Sequence, residues 1–288
     1  HEVNRRRLLG GAAAAGAAGV VAGLGGGFVA GTAAAAARQD AAPSGILQLG
    51  GESEPAGSWL PYRATGGAET QVFDLIFSRL IRFDADYNLI PDLAERYEAS
   101  EDASEFTFYL RDNVTWHDGE PFDADDVIFT YKTALRAGAT QSNRLSQIQG
   151  AVAYRDGESE EVPGLQKIDD YTVKIVLEAP NIAFLIGAAH NNSLVWILPE
   201  HILADVAPED LDQHPYMLKP EVGSGPYQFV EYVPDQYVQF TANPDFYLGA
   251  PKIEQVFLQL AVPTTQLAQL ESGQLDLMPR MSPRDGDR

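Results

Sequence analysis

The stretch "SEFTFYLRDNVTWHDGEPFDADDVIFTYKTAL" (Ser104–Leu135) predicts a strand, a turn and a helix in direct succession. Apolar and polar residues alternate over 106–110, which is typical of a half-buried strand. The pair Asp118 and Gly119 favours a turn after it. Apolar residues then recur at helical spacing over 127–135. A strand that leads directly into a helix indicates a mixed α/β fold.

The turn in this stretch also suggests a catalytic alternative, because His117, Asp118 and Glu120 stand close together. A catalytic acid pair needs burial to raise one pKa, whereas turn residues are commonly solvated. Asp123 stands where the helix needs an N-cap, and the two carboxylates after it complement the helix dipole. The sequence therefore favours a turn that leads into a capped helix. An exported hydrolase that uses His117, Asp118 and Glu120 stays the alternative.

The composition restricts the classes of function that the chain can have. A chain of 288 residues with 45% hydrophobic residues can build a substantial core. Its net charge of -21 opposes binding to nucleic acid, which is itself a polyanion. Cysteine is absent, which excludes disulfides, thiolate metal sites and cysteine nucleophiles. No phosphate loop, nucleophile elbow or paired metal-binding histidines occur in the sequence, so we expect no enzyme activity, cofactor or metal.

Residues 1–37 have the layout of an export leader. Arginines precede a long uncharged run of alanine and glycine, and an alanine cluster closes it. Arg5 and Arg6 with the apolar pair that follows resemble a twin-arginine signal. A retained transmembrane helix is the alternative, since the run exceeds the roughly 20 residues that a span needs. The prediction is an exported protein, periplasmic or at the cell surface, and membrane-tethered if the leader is not cleaved.

The rest of the chain alternates between patterns of strands and helices. Residues 44–51 predict a buried strand, and two hairpins are predicted over 165–180 and 223–247. The stretch "LIPDLAERYEAS" (89–100) predicts a helical turn that starts at a proline. Hairpins beside helices indicate an α/β fold.

Several separated motifs together resemble one family, the family 5 solute-binding proteins of ABC transporters, the peptide, dipeptide and nickel group. The motifs are "PDLAERY", "HDGEPFDADDVIF", "LPEHIL", "GSGPYQF", "NPDFYLGAP" and "LAQLESGQLDLM". They follow one another in the family's order, and the resemblance extends over residues 44–278. Leu248 and Ala250 depart from the family pattern, which has a larger aromatic residue and a glycine there.

The resemblance implies a two-lobed periplasmic-binding-protein-like clamp of the α/β class, with an extra subdomain in the first lobe. Such a protein binds a peptide or another small solute between its lobes and delivers it to ABC permease subunits; we expect a monomer. Family members are considerably longer, so the second lobe is expected to be mostly missing here. A non-functional N-terminal fragment is a further hypothesis. The lipid-modified cysteine of some members is also missing.

The same resemblance predicts domain boundaries. They are a leader at 1–37, the first lobe at 38–70 and 165–262, an inserted subdomain at 71–164, and the start of the truncated second lobe at 263–288.

Candidate ligand-binding residues lie in loops of the predicted first lobe. They are Glu52, Trp59, Tyr62, Asn191, Asn192, Ser193, Trp196, Gly225 and Tyr227. Aromatic side chains offer stacking area with a polar end, and glycines let a backbone approach closely. For each of them a structural role is the alternative, above all for Trp196, which stands in an apolar run.

Overall fold

The computed structural model describes residues 44–51, 59–61, 67–136, 142–189 and 196–279. The predicted leader, with Arg5 and Arg6, lies outside the described residues. So do the candidate site residues Glu52, Tyr62, Asn191, Asn192 and Ser193.

Ten strands and nine helical segments make up the described residues. The strands are β1 (Ile46–Gly51), β2 (Ile81–Phe83), β3 (Leu89–Pro91), β4 (Ala94–Ala99), β5 (Glu105–Leu110), β6 (Leu165–Asp169), β7 (Thr172–Val176), β8 (Tyr227–Val233), β9 (Tyr237–Ala242) and β10 (Gln255–Leu260). The α-helices are α1 (Gly67–Ile76), α2 (Ala124–Arg136), α3 (Ser142–Leu145), α4 (Ala151–Arg155), α5 (Phe184–Ala189), α6 (Glu200–Leu203), α7 (Pro215–Leu218) and α8 (Pro263–Glu271). A short 3-10 helix covers Leu211–Gln213.

The first sheet has the strand order β1-β10-β9-β8. β1 and β10 are parallel, whereas β10, β9 and β8 pair in antiparallel fashion. On its other side β1 pairs with the segment that follows α8. Gly50 N donates to Leu277 O at 2.8 Å, and Asp276 N donates to Gln48 O at 2.9 Å. The described part of this sheet therefore combines a C-terminal hairpin with parallel pairing on both sides of β1.

The second sheet is antiparallel throughout and has the order β4-β5-β7-β6. Its central strands β5 and β7 alternate between buried and partly buried positions, as the sequence predicted. Helix α2 packs against β6 and β7. The hairpin β6–β7 thus shares a sheet with β4 and β5. The domain boundary predicted between residues 164 and 165 falls between strands of this one sheet.

The helical turn predicted in "LIPDLAERYEAS" is wrong, because this stretch forms β3 and β4. Pro91 ends β3 opposite Ile81, and Ala99 pairs with Phe106 of β5. Proline at the end of a strand needs no N–H for the ladder, so Pro91 is compatible with a strand end as well as with the start of a helical turn. Pairing with β5 prevails here over the local helical signal.

Aromatic residues contribute much of the buried core. Phe73, Phe106, Phe108, Trp116 and Phe240 are among the largest side chains that are fully buried. No helix within the described ranges is both long and apolar enough to cross a membrane.

Candidate ligand-binding site

Two of the predicted site residues, Trp59 and Trp196, lie close together in the structure. The ring of Phe73 from α1 stands between them, 6.4 Å from Trp59 and 5.2 Å from Trp196 between ring centroids. Both tryptophans are only 2% exposed. Each follows a stretch that lies outside the described residues. The described contacts of both rings are therefore core contacts.

Trp196 is held by a charged pair. Its Nε1 donates to Asp74 Oδ1 at 3.1 Å, and the guanidinium carbon of Arg79 lies 4.6 Å from the ring centroid. Arg79 also bonds to the same oxygen of Asp74. Burial raises the pKa of Asp74, while the Arg79 charge acts in the opposite direction. A cation over an indole ring adds attraction that grows with burial, so this cluster fixes the indole plane.

Gly225 approaches protein backbone closely. Its N–H donates to Ile76 O at 3.0 Å, at the end of α1. A Cβ atom added there would lie 2.5 Å from Leu75 O and 2.6 Å from Ile76 C. The close approach that the structure describes for Gly225 is therefore to α1. Tyr227 is buried, and its hydroxyl donates to Ile253 O at 3.2 Å.

His117 uses both ring nitrogens in hydrogen bonds to backbone. Gly223 N donates to His117 Nδ1 at 3.0 Å, so Nδ1 carries no proton. Nε2 therefore carries the proton and donates to Gly225 O at 3.0 Å. Burial lowers the pKa of this imidazole. A general base needs a lone pair that faces a substrate, and His117 has none to offer.

The other members of the proposed hydrolase set do not assemble around His117. Asp118 Oδ2 instead lies 2.9 Å from His201 Nε2, in a half-exposed pair. Glu120 is exposed, and its backbone N–H donates to Asp118 Oδ1 at 3.3 Å. Within the described ranges, no group of three histidine or carboxylate side chains is arranged to hold a metal ion. The described contacts of the turn are to protein groups, and the turn leads into the capped helix that the sequence analysis favoured.

Asp126 is a buried carboxylate whose importance sequence reasoning missed. It is 4% exposed and accepts hydrogen bonds from Trp116 Nε1 at 3.1 Å, Asp123 N at 3.1 Å and Glu200 N at 2.9 Å. Desolvation raises its pKa to about 6. The signal was its place three residues after the N-cap, the position that bonds back to the cap in a capping box. Asp123 Oδ1 caps the helix through Asp125 N, as predicted.

The motifs that carry the family resemblance connect distant segments. Tyr247 of "NPDFY" donates to Asp92 Oδ1 of "PDLAE" at 2.6 Å. Asn243 Nδ2 donates to Gly225 O of "GSGPY" at 3.2 Å, and Gly225 O is also the acceptor for His117. These motifs therefore hold the lobe together.

The C-terminal end of β1 is the place where open α/β sheets bind ligands, at the carboxyl ends of parallel strands. β1 ends there in Gly50 and Gly51, beside the end of the parallel strand β10. Gln71 Nε2 of α1 donates to Gly50 O at 3.2 Å. Gln266 Nε2 of α8 donates to Ala261 O at 2.7 Å and also to Gly51 O. These four residues, Gly50, Gly51, Gln71 and Gln266, are called the β1 terminus below; neither glutamine was among the predicted site residues.

Solved structures of other proteins have a similar fold over most of this chain. NikZ from Campylobacter jejuni, solved in complex with Ni(L-His), superposes with a TM-score of 0.67 at 29% identity, and the match covers 82% of this chain and 43% of NikZ. The oligopeptide-binding protein AppA from Bacillus subtilis, in complex with a nonapeptide, gives a TM-score of 0.68 at 25% identity over 82% of this chain and 44% of AppA.

Sequence comparison leads to the same relatives. A protein of Brucella ovis that is named as an ABC transporter peptide-binding protein is 35% identical over 223 residues, which is 76% of this chain and 38% of that protein. The chain thus spans about two fifths of the length of such relatives. Residues 88–288 match the sequence profile described as "Bacterial extracellular solute-binding proteins, family 5 Middle". Because that match covers more than half of the chain, the protein belongs to family 5 of the bacterial extracellular solute-binding proteins.

Proposed function

We propose that the protein supplies the first-lobe part of an extracytoplasmic solute-binding component of an ABC importer, which passes its solute to permease subunits in the membrane. The family match over residues 88–288 carries this proposal. The peptide-binding relative from Brucella ovis supports peptides as the solute class. The nickel–histidine complex of NikZ makes a small metal chelate the second solute to test.

The proposed ligand face is the carboxyl end of β1 and β10, together with the predicted loop residues. Glu52, Tyr62 and Asn191–Ser193 are proposed to contact the solute directly. Trp59 and Trp196 are proposed to border it, since each follows one of those loops and both pack on Phe73. Gly225 and Tyr227 are proposed to act by packing, because their described contacts are to protein backbone.

Export and assembly form part of the same proposal. Arg5 and Arg6 would direct the chain out of the cytoplasm, where a solute-binding protein meets its solute. A monomer that acts without cofactor or catalysis is proposed. The engagement of both His117 ring nitrogens supports binding over hydrolysis.

Thermal melting of the chain in the presence of di-, tri- and oligopeptides, and of nickel with histidine, tests the proposal. A ligand at 100 times its dissociation constant stabilises the folded state by roughly 2.7 kcal/mol. We expect one solute class to raise the melting temperature in proportion to the logarithm of its concentration. A cooperative melt that no member of the panel shifts would contradict solute binding by this chain.

The chain's three tryptophans provide an internal control for the location of binding. Trp59 and Trp196 border the proposed ligand face, whereas Trp116 bonds to Asp126 at the start of α2. Ligand addition should change the intrinsic fluorescence of the wild type and of Trp116→Phe. It should change it less in Trp59→Phe and in Trp196→Phe. A change that disappears only in Trp116→Phe would place binding elsewhere.

A further inference from the structure

Both carbonyl groups at the end of β1 accept hydrogen bonds from glutamine side chains. Gly50 N donates to Leu277 O on one side of β1, so Gly50 O points to that side as well. Gly51 O points to the β10 side, opposite Leu260. Gln71 supplies the donor on the first side and Gln266 on the second. The two ladders that flank β1 are thus both terminated by amide side chains instead of further backbone.

Gln266 is an unusual anchor for a helix. It is 3% exposed and is the one buried residue of α8, a helix that lies wholly within the described residues. A buried amide is unfavourable unless its hydrogen bonds are made, and this one donates to Gly51 O and Ala261 O. α8 is therefore attached to the β1 terminus by hydrogen bonds more than by apolar packing.

The two glycines at the end of β1 leave room for this arrangement. A Cβ atom on Gly50 would lie 2.7 Å from Gln266 Oε1, and one on Gly51 would lie 3.0 Å from Leu260 Cδ2. The first contact is closer than real Cβ atoms come, and the second is tight. Gly50 and the buried glutamine therefore depend on each other sterically, whereas Gly51 is confined by its β10 neighbour.

We propose that Gln71 and Gln266 are positioning residues of the ligand site: they fix the position of the end of β1 at the ligand face. The inference rests on the proposed function for its ligand. α1 contributes one donor and α8 the other, so the end of β1 is held between two helices. Neither amide titrates, so these two hydrogen bonds to β1 do not themselves depend on protonation.

Substitutions at position 266 separate hydrogen bonding from packing. Gln266→Met keeps the length of the side chain but donates nothing. Gln266→Glu faces two carbonyl oxygens as a carboxylate at pH 8 but can donate once protonated at pH 5. We expect both variants to melt below the wild type at pH 8, and Gln266→Glu to melt above Gln266→Met at pH 5. A Gln266→Met variant that melts like the wild type at pH 8 would overturn the proposal. So would a Gln266→Glu variant that does not melt above Gln266→Met at pH 5.

Hydrogen exchange of described backbone amides tests the positioning itself. In Gln266→Met and in Gln71→Met, we expect Gly50, Asp276 and Leu277 to exchange at least tenfold faster relative to Phe108 of β5. Gln166→Leu is the matched control, since it removes an exposed amide-to-carbonyl bond to Pro163 in the other sheet. Amide exchange that is accelerated equally in β1 and β5, or not accelerated in β1, would refute a role of the glutamines in positioning β1. If Gln266→Met fails to fold, the exchange rates of Gln71→Met and of Gln266→Glu at pH 5 test the positioning in its place.

Peptide affinity distinguishes this inference from the proposed function. Where the wild type binds a peptide, we expect at least tenfold weaker binding in Gln266→Met at a temperature at which it is folded, and unchanged binding in Gln166→Leu. Equal affinity in Gln266→Met would overturn the role in the ligand site. A wild type that binds no solute contradicts the proposed function, and the exchange rates then decide whether the glutamines position β1.

Discussion

Two polar clusters of this lobe are built from different kinds of side chain. The His117 cluster, formed by Trp116, His117, Asp126, Gly223 and Gly225, contains ionisable groups whose hydrogen bonds are directed to protein. The β1 terminus contains only glycines and neutral amides. His117, which looks catalytic in the sequence, thus bonds to protein backbone. The four residues of the β1 terminus carry no charge, and Glu52 is the one acidic residue among the proposed solute contacts.

The largest expected effect comes from the steric fit of the His117 cluster. A Cβ atom on Gly223 would overlap Ile76 O, a backbone atom that cannot move away alone. We expect Gly223→Ala to lower the free energy of unfolding by about 4 kcal/mol or more, measured by denaturant unfolding. Gly119→Ala, in the turn that follows His117, is the control: its φ of 94° is unfavourable for alanine, but nothing lies within 4 Å of the added Cβ atom. It should cost only about 1–2 kcal/mol. Equal losses in both variants would contradict this steric account.

Asp126 should give the His117 cluster a pH dependence. Burial raises its pKa from 3.8 to about 6, so the folded protein binds this proton more tightly than the unfolded chain does. The carboxyl therefore opposes folding increasingly as the pH rises from about 4 to about 6, by roughly 3 kcal/mol in total. In Asp126→Asn this contribution is absent, so the wild type should lose stability relative to the variant across that range. A difference between the two proteins that stays constant from pH 4 to pH 7 would rule out the raised pKa.

His117 should act in the opposite direction. Burial lowers its pKa, so the unfolded chain binds the proton first as the pH falls below the ordinary value of 6.5. The contribution of the neutral imidazole is fully present above pH 6.5 and is lost as the pH falls further. His117→Asn, whose side-chain oxygen can replace Nδ1 as the acceptor for Gly223 N, should show less of this loss between pH 8 and pH 5 in urea unfolding. A steeper loss in the variant than in the wild type would refute the neutral tautomer.

The smallest effect is expected at the exposed edge of the cluster. Asp118→Ala removes a half-exposed pair with His201, and such pairs contribute about 1 kcal/mol or less. We expect a melting temperature within a few degrees of the wild type and unchanged solute-induced shifts. His201→Ala should behave in the same way. Hydrolysis of an ester or glycoside by the wild type that disappears in Asp118→Ala would instead revive the hydrolase alternative.

Local signals made part of this structure predictable. Helix α2 and its Asp123 cap were predicted because the cap and its donor are two residues apart. β4 was mistaken for a helical turn because its pairing with β5 is a tertiary choice. The glutamines of the β1 terminus were missed for a related reason. Gln266 stands 215 residues from Gly51 in the chain, and nothing in its own neighbourhood marks it as buried.

The family resemblance was informative where spacing alone was not. The family and the fold of the first lobe are confirmed. The resemblance could not show that His117, Asn243 and Tyr247 bond segments together, because a motif gives residue order and not contacts. The predicted ligand contacts stay predictions, and several of them lie outside the described residues.

The position of β1 between two parallel neighbours has a consequence for synthesis of the chain. Its partners, β10 and the segment around Leu277, follow roughly 200 residues later. A ribosome that adds about 5–20 residues per second needs roughly 10–40 s to supply them. Throughout that interval β1 lacks both of the ladder partners that the described residues give it, so this strand stays exposed to other pairing until those segments are translated.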